Sequence, residues 1–178
     1  MACGGADPVV RPATGDPMTS SLAAFPQRLR GPPGAAPYRR LDGWCALVGL
    51  PRGAAPAGAE FTLEDGTVAV LRGAPPAPSA PGSQLVAVYA PDGAADPCVP
   101  TGRVLLRYPD NQQAADHRGE VEAAGCVILE PLAYAPQAAW VAAASGRVAD
   151  ALSALDSLAA LPDVVAVEPQ MLRRSAKR

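Results

Sequence analysis

The chain carries one histidine, His117, and four cysteines, Cys3, Cys45, Cys98 and Cys126, the residue types from which hydrolytic, redox or zinc chemistry is built. A serine or cysteine nucleophile needs a base held against it. His117 instead falls in a polar stretch of an expected helix, where plain exposure to solvent is its expected state. The cysteines are widely spaced and make none of the close pairs that zinc sites use. Cys45 and Cys126 lie within apolar runs and read as small buried hydrophobes of expected strands. Glu120 and Glu122 stand two apart on a helix, so they face different directions and make a poor acid-base couple. The remaining acidic residues are dispersed, which argues against a divalent-cation site. No Gly-x-x-x-x-Gly-Lys-Ser/Thr loop and no Rossmann fingerprint occurs to cradle a phosphate. The expectation is a protein that is not an enzyme, with no catalytic residues, no metal and no cofactor.

Charge excludes further classes. Fifteen Lys and Arg against 17 Asp and Glu give a formal net charge of −2, which supplies no overall attraction for nucleic acid or an anionic membrane. No apolar run approaches the roughly 18 residues of a membrane span. Met1 to Gly34 holds Asp7, Arg11 and Asp16 among scattered prolines and lacks the apolar core of an export signal. A cytoplasmic location suits the cysteines, and the Ala, Pro, Gly and Arg richness is that of a bacterial sequence.

These residues must be positioned by elements, and the prolines divide the chain. Of 21 prolines, 16 precede Thr101 and 5 follow it. Residues 1–37 contain seven prolines and no apolar periodicity, so they are expected to form a disordered, proline-rich tail. Residues 38–100 are expected to form a small β module with proline-rich loops. Its strands are expected at Trp44 to Leu50, Glu60 to Leu63, Thr67 to Leu71 and Gln84 to Tyr89. Asp65-Gly66 between two alternating runs predicts a hairpin whose turn needs positive φ. The Ala-Pro-Pro-Ala-Pro-Ser-Ala-Pro stretch after Gly73 predicts an exposed loop, and Asp92 to Pro100 a connector containing Cys98. So small a sheet needs extra strands or a packed interface with the C-terminal module.

Residues 101–178 predict an α/β domain. Arg103 to Tyr108 alternates as a strand should, and Asp110 is placed to cap the helix after it. Ala114, Arg118, Val121 and Ala124 recur at helical spacing, and Gly125 supplies a left-handed end. Val127 to Leu129 and Ala138 to Ala143 predict the second and third strands. A second helix presents Val148, Leu152, Leu155, Leu158 and Ala159 on one face and stops at Pro162. Val164 to Val167 is the last strand. The fold class is therefore α+β, and the order β-α-β-β-α-β predicts a ferredoxin-like antiparallel sheet with two helices on one face. RNA-recognition domains share this topology, but Tyr108 and Trp140 lack basic, glycine-bearing flanks, and Trp140 reads as core or interface.

Within that domain, Tyr134-Ala-Pro-Gln-Ala-Ala-Trp140-Val141, the helix Ala149-Asp150-Ala151-Leu152, and Leu161-Pro162-Asp163-Val164-Val165-Ala166-Val167-Glu168-Pro169-Gln170 resemble the propeptide, or inhibitor, domain of subtilisin-like serine proteases. The likeness covers about 75 residues, less than half the chain. It implies a sheet laid against two helices of a protease, with an extended C-terminal segment entering the substrate cleft like a product. The partner-binding residues it assigns here are Glu168, Pro169, Gln170, Met171, Leu172, Arg173 and Arg174, with Gln170 to Arg178 as the inserting tail. An extended peptide adds main-chain hydrogen bonds to a cleft edge while alternate side chains fill pockets. The pattern departs from the family in that no protease domain follows Arg178.

The expected function is thus protein-protein interaction: a standalone propeptide-like inhibitor or folding chaperone of a subtilisin-like protease. The alternative is a non-inhibitory adaptor or regulatory protein, controlled by proteolysis of its exposed loops or tail.

Overall fold

The computed structural model describes residues 22–74 and 80–174. Cys3, the core of the loop after Gly73 and the four closing residues fall outside them. The fold is mixed α+β around one nine-stranded sheet in which every strand pairing is antiparallel. The first half contributes β1 (Arg28–Leu29), β2 (Tyr38–Val48), β3 (Phe61–Leu63), β4 (Val68–Arg72) and β5 (Gln84–Pro91). The second contributes β6 (Cys98–Arg107), β7 (Cys126–Leu132), β8 (Ala135–Ala143) and β9 (Ala166–Arg173). Strands run in the order β3-β4-β2-β5-β6-β8-β7, with β1 added to β2 and β9 to β6.

Two helical arms complete it. A 3-10 turn, Ala114–His117, leads into α1 (Arg118–Ala123). The second arm is α2 (Val148–Ser153) and α3 (Leu155–Ala159), kinked at Ala154, whose φ of −81° and ψ of −8° flatten the turn between them. Its buried residues Val148, Leu152, Leu155 and Leu158 are those expected from the helical spacing. Val121 from α1 joins them against Val104, Leu106 and Val141.

Several expected boundaries move. The limit drawn between residues 100 and 101 falls inside β6, whose first residues pair with β5 through Tyr89↔Cys98 and whose last pair with β8. One hydrophobic cluster reaches from Phe25 and Leu29 through Val70 and Val88 to Leu158 and Val167, so the two halves share a core. A second, smaller cluster of Cys45, Leu47, Leu71 and Leu85 lies on the opposite side of β2, β4 and β5. Cys98 is not in a connector but fully buried in β6, and the connector shrinks to residues 92–97.

Residues 22–37 are not a loose tail. Phe25 and Leu29 are buried, Arg40 Nη1 donates to the carbonyls of Leu22 and Phe25 at 3.0 and 3.1 Å, and Tyr89 Oη donates to that of Pro26 at 2.8 Å. Isolated anchors hold this segment, which is why no periodicity announces it. Residues 1–21 lie outside the described residues.

Local chemistry explains the turns. The β3–β4 hairpin closes through Glu64, Asp65 and Gly66, all at positive φ (50°, 53° and 85°). Gly125 ends α1 at a φ of 78°, as expected. Asp110 does not cap a helix. Its Oδ1 accepts instead from Arg107 Nη2 at 3.0 Å and Gln137 Nε2 at 3.1 Å, while Gln113 precedes the helical turn without a side-chain cap.

Candidate functional site

The C-terminal segment is the first candidate, and its position differs from that of a free ligand. Residues 166–173 run as one strand along β6, with Val104 opposite Pro169, Leu105 opposite Glu168, Pro100 opposite Met171, Val99 opposite Leu172 and Cys98 opposite Arg173. The last strand, expected at Val164 to Val167, is therefore corrected: it runs from Ala166 to Arg173, and Glu168 to Arg173 continue the sheet. The physical reason lies in the extra length of β6, since Cys98 to Pro100 offer an edge that a domain starting at Thr101 would not have. Gln170 Oε1 accepts from Thr101 Oγ1 at 2.8 Å, and Met171 and Leu172 pack on the shared core. Arg173 Nη2 donates to Tyr38 Oη at 2.9 Å, and its guanidinium carbon lies 5.8 Å from that ring's centroid. The Arg174 guanidinium carbon lies 4.9 Å from the centroid of Phe61. Of the seven expected residues only Arg174 has left the strand, and it too rests on the first half of the fold.

Alternation along the strands builds the second candidate. On β6, Val104 and Leu106 point to the helices and are buried, so Arg103, Leu105 and Arg107 point the other way and remain half-buried or exposed. Trp140 on β8 stands opposite Leu105, Glu168 on β9 flanks Leu105 on the other side, and Leu129 on β7 is 49% exposed. Among the described residues no helix covers this face. The Arg103 guanidinium carbon sits 5.2 Å from the centroid of the Trp140 ring, and its Nη2 lies 3.4 Å from Glu130 Oε2. Trp140 is therefore neither core nor fully displayed: it is a half-buried aromatic with a cation over it, the pairing found at the centres of protein interfaces.

A cleft of about 480 Å³ opens where the halves of the sheet meet. The Thr101-Gly102-Arg103 bulge of β6 forms one wall, and the start of α2 another. Gln84 ties these parts together: its Nε2 donates to the Gly146 carbonyl at 2.9 Å and its Oε1 accepts from the Val148 N–H at 3.1 Å.

The histidine is not simply exposed. Only 15% of the His117 side chain remains accessible, because its ring stacks on Tyr108 with centroids 3.9 Å apart and planes 8° from parallel. Nδ1 lies 3.0 Å from Glu120 Oε2, and Nε2 lies 3.0 Å from Gln112 Oε1. Gln112 Nε2 in turn donates to Asp163 Oδ2 at 3.1 Å, in the turn before β9. The cluster ties α1 to that turn and presents no nucleophile. Burial pushes the fully enclosed Tyr108 phenol up to about 12, with the Glu120 carboxylate adding to the rise, so it stays protonated at neutral pH.

The cysteines are buried as expected for Cys45 and Cys126, and burial raises both thiols. Cys98 Sγ donates to the Tyr89 carbonyl at 3.2 Å, and burial pushes its thiol up to about 11 against a small opposing pull from Arg173. A thiol held protonated is a poor nucleophile. Among the described residues no group of three His, Cys, Asp or Glu side chains is gathered as metal ligands would be, and no helix is long and apolar enough to cross a membrane.

Sequence reasoning read Trp140 as core or interface and gave no account of the cleft, whose walls come from segments far apart in the chain. Gly102, flanked by hydroxyl and cation in Thr101-Gly-Arg103, was its one local signal. Compared with known proteins, the chain matches no family model, no curated protein and no solved structure.

Proposed function

We propose that this protein works by binding another protein, and that its partner is a subtilisin-like serine protease held against the open face of β9-β6-β8-β7. The observation that carries this reading is that face itself: a sheet surface with Trp140, Leu105 and Leu129 accessible, Arg103 stacked over the tryptophan, and no described element covering it. Buried aromatic and arginine anchors carry most of the energy in protein interfaces. The strand order β9-β6-β8-β7, with helices packed on the other face, supports the ferredoxin-like assignment and with it the likeness to propeptide domains. Docking through the sheet leaves Gln170 to Arg173 in β9, so insertion into a substrate cleft is confined to the chain from Arg174 onward.

The test is inhibition of a bacterial subtilisin cleaving a chromogenic peptide, with the full chain as inhibitor. Trp140→Gln should weaken inhibition by about thirtyfold or more, the loss typical of an anchor residue. Leu129→Arg should weaken it at a position exposed enough to leave the fold intact. Absence of inhibition at micromolar concentrations of the full chain, or equal potency of both variants, overturns the proposal. The adaptor reading, which is non-inhibitory, predicts the first of these results.

A further inference from the structure

The cleft between the halves has features that a protein-docking face does not require. Its volume of about 480 Å³ falls in the range of small-molecule sites, and it sits where two parts of a fold meet. The threonine hydroxyls on its walls already use their hydrogens, and Gln84 Nε2 uses one of its two. Thr67 Oγ1 donates to the Glu64 carbonyl, Thr101 Oγ1 to Gln170, and Gln84 to Gly146. The charged donors are guanidinium groups. Arg103 keeps a buried Nε with no hydrogen-bond partner among the described residues, an arrangement that destabilises a fold unless something accepts from it. Arg147 lines the same space with no carboxylate within ion-pair distance among the described residues.

The lining holds one carboxylate, Glu64, and Arg103 is already paired with Glu130 just outside it, so Arg147 is the lining cation without a carboxylate partner among the described residues. Val48, Val68, Leu129, Val148 and Leu172 supply apolar wall.

From these features we infer that the cleft binds a small monocarboxylate with a compact apolar body, its carboxylate held by Arg103 and Arg147. A planar carboxylate matches the donor fork of a guanidinium, and a monoanion offsets the one unpaired cation, Arg147, whereas a dianionic phosphate would meet Glu64 and Glu130 with excess negative charge. The site shares Arg103 and Leu129 with the proposed docking face, but its test reads small-molecule binding and stands or falls without the protease reading.

The test uses three probes with one body: 3-phenylpropanoate, 3-phenylpropanamide and 3-phenylpropylamine, titrated into the full chain and followed by calorimetry and amide NMR. The carboxylate should bind about tenfold or more tighter than the neutral amide, and should shift the amides of Gly49, Gly102 and Gly146. Arg147→Met, an exposed position whose free spectrum reports whether the fold persists, should remove that advantage while leaving the weak binding of the amide unchanged. Equal affinity for the three probes, no shifts at millimolar carboxylate, or shifts confined to residues outside the cleft would each overturn the inference.

Discussion

Gly102 is the position where a single methyl group should report on how the two halves are joined. It lies in the bulge of β6 with a φ of +84°, and a Cβ built there would sit 3.2 Å from Val148 Cγ2 and 3.4 Å from Val148 Cα. Gly102→Ala therefore meets two separate penalties. An L-residue in the left-handed region costs about 1–2 kcal/mol, and crowding a buried valine that must give way by a few tenths of an ångström adds about 1 kcal/mol. The expected loss is about 2–3 kcal/mol, which lowers Tm by roughly 5–10 °C for a chain of this size. Urea unfolding followed by tryptophan fluorescence measures it. In a Val148→Ala background the crowding goes and only the backbone penalty of about 1–2 kcal/mol should remain. A loss below about 0.5 kcal/mol, or the same loss in both backgrounds, would refute the packing of α2 on the β6 bulge.

Two further outcomes are expected. Trp44 and Trp140 lie one in each half, so in Trp44→Phe and in Trp140→Phe the remaining fluorescence should change at the same denaturant concentration as far-UV circular dichroism; separated midpoints would mean the halves unfold independently despite their shared core. The Cys98 thiol, raised from 9.0 to about 11, keeps its proton in the folded chain where the unfolded chain has lost it, so its contribution is whole below about pH 9 and declines as pH rises towards 11. The stability difference between the native chain and Cys98→Ala should accordingly shift by about 2 kcal/mol against the native chain over that interval, and a difference that stays constant with pH would show that the thiol is not buried in solution.

Much of the framework was legible in residue order. Alternation located the strands of both halves, helical spacing located Val148, Leu152, Leu155 and Leu158, and Gly125 marked a helix end. What escaped depends on partners distant in sequence. Prolines at 97 and 100 suggested a connector, yet a bulge tolerates a residue without an N–H, and β6 runs through Pro100, where its register against β9 shifts before Val104. Phe25 and Leu29 looked like strays because their burial is supplied by β2 and β5 rather than by a local repeat. His117 lay in a polar stretch, and nothing in its neighbours announced the parallel ring of Tyr108. The open face could be inferred from alternation once the strands were placed, whereas the cleft needed the turn at Glu64, the β6 bulge and the start of α2 to be brought together in space.

The bridge from Arg173 to Tyr38 spans 135 residues, and this distance has a consequence for biosynthesis. At about 5–20 residues per second, a ribosome needs on the order of 10 s to deliver the arginine after the tyrosine. From the completion of β6 at Arg107 until β9 is delivered, the outer edge of β6 has no partner to cover it, and its apolar positions wait on a nascent chain that has not yet emerged. Chaperone demand should therefore peak late in translation, and synonymous codons that slow elongation between Cys98 and Arg173 should lengthen the exposure and lower soluble yield without altering one atom of the finished molecule.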